Sequence, residues 1–231
     1  DQDIFYQPKV SAKFFNSKTT FEINLSFTEI QVKESFSNAE QLNAFISMLH
    51  TSVSNSMTVK TDALIMRTIN NMTAEVLANE LGDLSDLTQT SVKAVNLLTL
   101  FNEGKEDADK LTAEQAITNP EFIRFATFQI GVTTDRMSKI STLFNVGGKD
   151  RFTPIDQQHV VLLSDFAKAS ETFLRADVDH NEMVALPKHD SVPYWQGSGE
   201  TYSFEDISKI NVKNSSKVDV EVSGILGVIF D

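Results

Sequence analysis

The chain has 231 residues, no Cys, and 32 Asp and Glu against 20 Lys and Arg, which leaves a formal net charge of −12 at pH 7. This charge argues against nucleic acid as the main partner, because duplex binding depends on Lys and Arg neutralising phosphates. The absence of Cys excludes disulfides, thiolate zinc sites and a cysteine nucleophile. No stretch approaches the roughly 20 apolar residues of a membrane-spanning helix. The length predicts one or two domains.

The two ends of the sequence suggest that more chain lies on either side. The start, Asp1-Gln2-Asp3, is acidic and lacks the basic residues that open a signal peptide. The end, residues 223–231, is an apolar run without a polar tail. We therefore expect this chain to be the middle of a longer polypeptide.

Residues 10–32 predict a β-hairpin. Residues 21–27 alternate apolar and polar side chains, which is typical of a strand with one buried face. Residues 10–14 alternate as well, and residues 16–19 supply turn-forming side chains. A lone hairpin is marginal in water, so its apolar face must be covered, either by the body of the protein or by a neighbouring subunit. For a protruding arm we favour the neighbour, and the candidate subunit-interface residues are Phe21, Ile23, Leu25 and Phe27.

The next segment predicts a very long helix. Asn38 followed by Gln41 forms a capping pattern, and Gly82 is a natural stop. About 40 residues of helix would extend roughly 60 Å, and two alternatives stay open: a continuous helix, or one with a bend or break in the Ser- and Thr-rich stretch 51–59. The apolar residues at helical spacing, expected to face inward, are Leu42, Ile46, Leu49, Val53, Met57, Leu64, Ile65, Ile69, Met72 and Val76.

The remainder alternates helices and strands, which predicts an α+β fold. A helix is expected over 91–101, with Val92, Val95, Leu98 and Phe101 inward. A second helix should start at Asn119-Pro120 and run to about Leu143. His159–Ser164 predicts a strand buried on both faces, followed by a helix capped by Asp165. Residues 207–230 predict two strands around a turn at 214–216.

No segment provides a convincing active site. Asp177-Val178-Asp179-His180-Asn181 resembles the start of a calcium loop, but Glu182 and Lys188 stand where an EF-hand needs Gly and Glu. We expect Asp177, Asp179, His180 and Glu182 to bind no metal tightly and to form a solvated acidic rim. The other histidines have no metal-binding spacing, and the glycine pairs near 147 and 197 match neither a phosphate loop nor a nucleophile elbow. The predictions are therefore no catalytic residue, no cofactor and no metal.

Three longer strings resemble the major capsid proteins of tailed phages that infect Gram-positive bacteria. They are residues 9–23, which include Phe14-Phe15-Asn16-Ser17-Lys18-Thr19-Thr20-Phe21; residues 55–72, which include Thr58-Val59-Lys60-Thr61-Asp62-Ala63-Leu64; and Val192-Pro193-Tyr194-Trp195-Gln196-Gly197-Ser198-Gly199. The resemblance spans nearly the whole chain.

The resemblance implies the Hong Kong 97-like capsid fold and a structural subunit of an icosahedral head that encloses double-stranded DNA. Residues 1–37 would be an N-terminal segment and an extended hairpin, the E-loop. Residues 38–82 would be the spine helix of the peripheral domain, and 83–231 the rest of that domain with the axial domain. An N-terminal arm and a final peripheral-domain segment are not recognisable, which departs from the family pattern.

The implied partners are copies of the same chain, in hexamers and pentamers, with scaffolding and portal proteins in addition. No sequence-specific nucleic acid and no membrane are expected as partners. The implied location is the virion, after assembly in the host cytoplasm. Two alternatives stay open: the shell of an encapsulin-like bacterial nanocompartment, and a soluble hydrolase whose site is scattered along the sequence.

Overall fold

A computed structural model of the chain describes residues 22–24, 26, 29, 38–82, 84, 88–146, 148–176, 186–195, 207–213 and 216–230. The chain divides into two compact units, 1–61 and 62–231, and the division falls inside the first helix. The helices are α1 (Ala39–Leu81), α2 (Leu97–Asn102), α3 (Ala113–Ala116), α4 (Pro120–Met137) and α5 (Ser164–Ala176). The strands are β1 (Ser141–Val146), β2 (Lys149–Arg151), β3 (His159–Leu163), β4 (Asp190–Val192), β5 (Ile210–Lys213), β6 (Asp219–Val222) and β7 (Gly227–Phe230), with a 3₁₀ turn at Ile155–Gln157. The mixture of helix and sheet confirms the α+β class.

Helix α1 is continuous over 43 residues. Its start is capped as predicted, since the Asn38 Oδ1 accepts a hydrogen bond of 2.9 Å from the backbone N–H of Gln41. Gly82 follows its last residue with φ +67°, the left-handed conformation that closes many helices. The Ser- and Thr-rich stretch stays helical because hydroxyls bond back to carbonyls four residues earlier. Thr51 donates to Ser47 O at 2.9 Å and Thr58 to Ser54 O at 3.1 Å.

Strand β3 organises the second unit. It lies between β4, which is parallel to it, and β7, which is antiparallel. Its four residues from Val160 to Leu163 are all buried, which confirms the prediction of a strand covered on both faces. Because side chains alternate along a strand, Val161 and Leu163 enter one core cluster while Val160 and Leu162 enter another.

The first core cluster joins β3 to the β5–β6 hairpin and to α1. Residues Ile210, Val212, Val220 and Val222 alternate inward along the hairpin and are buried, together with Ala74 of α1 and Trp195. The Trp195 indole N–H donates to Ile225 O at 3.0 Å, so its one polar atom is satisfied.

One polar side chain next to the first core cluster is left without a hydrogen bond. Asn70 of α1 is fully buried, and neither atom of its amide has a partner in the described part of the chain. An unpaired buried group of this kind costs about 1–3 kcal/mol.

The second core cluster lies on the other face of β3, beneath α4 and α5. Phe122, Ile123 and Ala126 of α4 pack there with Phe166 and Ala167 of α5. The start of α4 is as predicted, because Asn119 accepts hydrogen bonds from the backbone N–H groups of Glu121 and Phe122, and Pro120 takes the first helical position.

Several predicted boundaries are wrong. Helix α2 begins at Leu97, because the side chain of Asn96 accepts a hydrogen bond from the Thr99 N–H and caps the helix there. The residues before it are not helical, and Val92 and Val95 are exposed. Helix α4 ends at Met137 instead of near Leu143, which belongs to β1. Helix α5 begins one residue before Asp165. The segment 207–230 holds three strands, since β7 leaves the hairpin and pairs with β3.

The inward face predicted for the second half of α1 is wrong in part. Ile65 and Met72 are 53% and 51% exposed. Ile69 packs against the first core cluster as predicted, and it does so together with Met66 and Leu77, which were not among the residues predicted to face inward. This part of the helix carries apolar residues on two sides, so spacing alone did not identify the side that the sheet covers.

We predict that Gly227→Ala weakens the contact between β7 and β3. A Cβ atom at position 227 would lie 2.5 Å from Leu162 Cδ2 and 2.9 Å from the carbonyl oxygen of Val161. The backbone oxygen cannot move without disturbing the ladder, so the free energy of unfolding should fall by about 1–3 kcal/mol in a urea titration.

The matched control is Gly131→Ala in α4, where a Cβ would meet nothing within 4 Å. The same chemical change there should raise stability by about 0.5–1 kcal/mol. Equal effects of the two substitutions would contradict the close approach at Gly227.

Candidate assembly surfaces

Of the four predicted interface residues, the structure describes only Ile23. It is half-buried, whereas Glu22, Asn24 and Ser26 are exposed, which is the alternation that the sequence predicts. The Lys60 ammonium donates a 2.6 Å hydrogen bond to Glu22 O within the same unit. Residues 22–24 and 26 are not assigned to a strand. The hairpin pairing, and the positions of Phe21, Leu25 and Phe27, lie outside the described residues and stay predictions.

The first half of α1 exposes many apolar side chains. Among the described residues 38–61 none is buried. A helix of a soluble monomer normally hides one apolar stripe. Here the large apolar side chains that remain exposed are Leu42, Ile46, Met48, Met57 and Val59.

The second half of α1 has a second apolar side besides the one that contacts the core. Ile65, Met72 and Val76 are 53%, 51% and 39% exposed. They are separated by seven and four residues, which places them on one face of the helix. We call these three residues the outer stripe of α1. Its exposure, next to a well-formed core on the inner side, is what a contact with another molecule requires.

A groove opens in the second unit between the segment before α2, the end of α4 and strand β1. Its volume is about 340 Å³, and its apolar lining comes from Val92, Val95, Leu100, Leu143 and Phe144. We call it the α4–β1 groove. The charged residue of its lining is Arg136, in the last turn of α4. Exposed apolar residues of the same region include Ile140, Phe152 and Ile155.

The side chains that could perform chemistry are not brought together in the described part of the chain. No group of three or more His, Asp or Glu residues there could hold a metal ion. His50 is exposed on α1, His159 stacks on Phe230 with ring centroids 5.8 Å apart, and the His189 Nδ1 lies 2.9 Å from Pro187 O. The acidic segment 177–182 and the glycines 197 and 199 lie outside the described residues.

Two exposed carboxyl groups have lowered pKa values for local reasons. The pKa of Asp107 is lowered by a hydrogen bond from Lys110, at 2.6 Å, and by the charge of that ammonium. The pKa of Glu114 is lowered by a hydrogen bond from the Thr112 hydroxyl at the start of α3. Neither group lies in the groove or the outer stripe, so these shifts reflect surface pairing and a helix cap.

Sequence reasoning missed both the outer stripe and the groove. The outer stripe was assigned to the core because Ile65, Met72 and Val76 have helical spacing. A signal was present, since Met66 and Leu77 lie on another apolar side of the same helix. The groove joins residues that are about 50 positions apart, such as Val92 and Leu143. No local pattern could have indicated it.

The helices within the described residues include none that is both long enough and apolar enough to cross a membrane.

Comparison with known proteins identifies the family. The model of the Phi29-like phage major capsid protein family matches residues 1–231, the full length given. No curated protein and no solved structure matches the chain. Exposed apolar helix faces are what a subunit of a protein shell should present. The chain belongs to the Phi29-like phage major capsid protein family.

Proposed function

We propose that this chain is the subunit that self-assembles into an icosahedral head shell around phage double-stranded DNA, and that it has the Hong Kong 97-like fold. In this proposal residues 1–37 form an arm with the E-loop hairpin, 38–82 the spine helix, and 83–231 the rest of the peripheral domain with the axial domain. The family supports a structural role in the virion head. The observation that carries the assembly proposal is the outer stripe of α1, which is left uncovered by a complete core.

The energetics favour a repeated contact between copies. Complete burial of a Leu, Ile or Met side chain contributes about 1.5–3 kcal/mol, so covering a half-exposed one contributes roughly 1 kcal/mol. Three such residues in the outer stripe, with more on the first half of α1, give a contact that is weak alone. Repetition of that contact at every subunit makes a closed shell stable.

The proposed partners follow from this role. Copies of the chain would form hexamers and pentamers, with scaffolding and portal proteins in contact with them during assembly in the host cytoplasm. The resemblance to capsid proteins of phages of Gram-positive bacteria supports a host of that kind. The proposal requires neither a catalytic residue nor a cofactor.

The direct test is electron microscopy of the purified chain after assembly. We expect closed shells of uniform size. The variant with Leu25→Ser and Phe27→Ser should remain folded by circular dichroism but form few shells, because the apolar face of the hairpin is predicted to lie against another subunit. Normal shells from this variant would remove the hairpin from the interface, whereas the lack of any shell from the parent chain would count against the function itself.

The outer stripe gives a second prediction. Ile65→Gln and Met72→Gln should each leave the free energy of unfolding within about 0.5 kcal/mol of the parent, since both side chains are half-exposed. Both should lower shell yield, measured by sedimentation.

Asn79→Gln is the control, because it changes an exposed polar residue of the same helix and should affect neither quantity. If Ile65→Gln unfolded the protein, Ile65 would pack in the core, as first expected from the sequence. Full shell yield from both stripe variants would show that the outer stripe is not part of an interface between subunits.

The acidic residues Asp177, Asp179, His180 and Glu182 give a third prediction, on salt and metal. We expect shell yield to change with ionic strength over tens to hundreds of millimolar, where the Debye length falls from roughly 15 Å to under 10 Å. A chelator should have no effect, because the segment lacks the Gly and the bidentate Glu of a calcium loop. If a chelator dissolved the shells, as measured by light scattering, we would conclude that the segment does bind a metal ion.

A further inference from the structure

The α4–β1 groove has the size and lining of a site for one large side chain. Its volume of about 340 Å³ lies at the lower end of the range of roughly 300–1,000 Å³ typical of ligand sites. Its apolar residues include Val92, Val95 and Leu143, which are all exposed to solvent. These side chains come from two separate segments, the one before α2 and strand β1, and none of the three belongs to the second core cluster.

Arg136 supplies the charge of this groove and is free to bind. In the described part of the chain no carboxylate or carbonyl oxygen accepts a hydrogen bond from its guanidinium. Two other cations are paired within the chain: Lys93 donates to Asn145 O at 3.1 Å, and Lys168 donates to Glu171 at 2.9 Å. The position of Arg136 in the last turn of α4 suits the helix dipole, but that interaction leaves its donors open.

The negative net charge of the chain means that an unpaired cation can favour contact between copies. Each copy carries a formal charge of −12, so two copies repel each other as they approach. A contact is favoured where a cation of one copy meets the excess carboxylates of the other. An Arg beside an apolar groove can hold a carboxylate through two parallel hydrogen bonds while the groove takes the neighbouring apolar side chain.

We propose that the α4–β1 groove receives a segment of a second copy of this chain, in which a large apolar side chain stands next to a carboxylate. Sequences of that kind in this chain include Asp3-Ile4-Phe5 and Phe204-Glu205. The contact is heterologous, because the groove and the inserted segment are different surfaces, and a contact of this type builds a ring when the rotation between copies closes. The inference rests on the proposed shell function and names one of its interfaces.

Photo-crosslinking identifies the occupant directly. Leu143→p-benzoylphenylalanine places a reactive group at the groove, and assembly from equal amounts of ¹⁵N-labelled and unlabelled chain marks each crosslinked peptide by its origin. We expect crosslinks between labelled and unlabelled peptides, in a segment with an apolar residue beside Asp or Glu. Crosslinks confined to a single chain, or none in assembled shells, would overturn the proposal.

Charge reversal tests the role of Arg136. Arg136→Glu should lower shell yield at least about tenfold, the effect of losing one charge-assisted hydrogen bond, while the urea midpoint stays unchanged. Lys188→Glu makes the same change in net charge at an exposed residue outside the groove lining and should retain most of the yield. Arg136→Lys, which keeps the charge but loses the planar fork, should fall between them.

The outcomes separate this inference from the proposed function. If the parent chain forms shells and Arg136→Glu and Lys188→Glu give equal yields, the proposed contact at the groove is wrong. The proposed shell function would then be unaffected. Failure of the parent chain to form shells would reject both. Loss of shells together with a lower urea midpoint in Arg136→Glu would show a structural role for Arg136, and the Leu143 crosslinks would then decide the proposal.

Discussion

The burial of β3 on both faces is the constraint on which the second unit depends. A strand that carries apolar residues at every position must be covered above and below, and its two edges must be paired. Strands β4 and β7 satisfy the edges, helices α4 and α5 cover one face, and the β5–β6 hairpin covers the other with α1. The close approach of Gly227 to Leu162 shows how tightly the pairing with β7 is made.

The same constraint decides which side of α1 remains exposed. Ala74, Met66 and Leu77 pack in the first core cluster with β3 and the hairpin, so the outer stripe, on another side of the helix, is left uncovered. In a monomer those positions would be polar. The presence of Ile65, Met72 and Val76 there is a departure from the usual pattern of a surface helix. Asn70 is the converse case, a polar residue on the covered side without a hydrogen bond. The pattern of α1 is therefore not explained by the fold of one subunit.

Local signals predicted the elements whose structure is decided locally. The apolar run of β3, the Asn119-Pro120 start of α4 and the Asn38 and Gly82 limits of α1 are all as expected, because caps and strand composition act within a few residues. The end of α4 was missed because Ser138, which closes the helix with a hydrogen bond of 2.7 Å to Asp135 O, was not recognised as a cap. The pairing of β7 with β3, more than 60 positions away, could not be derived from spacing.

The candidate surfaces were harder to predict for a physical reason. An apolar residue that packs inside one subunit and one that packs between two subunits have the same side chain, so periodicity does not separate them. The resemblance to capsid proteins identified the role of the chain without locating its contacts. Candidate contacts can be named only once the core is known, because they are apolar side chains that the core leaves uncovered.

Charge and apolar exposure act together in this chain. A net charge of −12 keeps separate copies apart in solution and disfavours adhesion to the phosphates of DNA. The same charge opposes assembly, so the attraction between copies has to come from apolar contacts and from a few well-placed cations. Weak contacts of this kind allow wrongly placed subunits to dissociate, whereas a single strong contact would trap them. A subunit that is acidic overall, with apolar stripes on its longest helix and an available Arg beside a groove, meets both requirements at once.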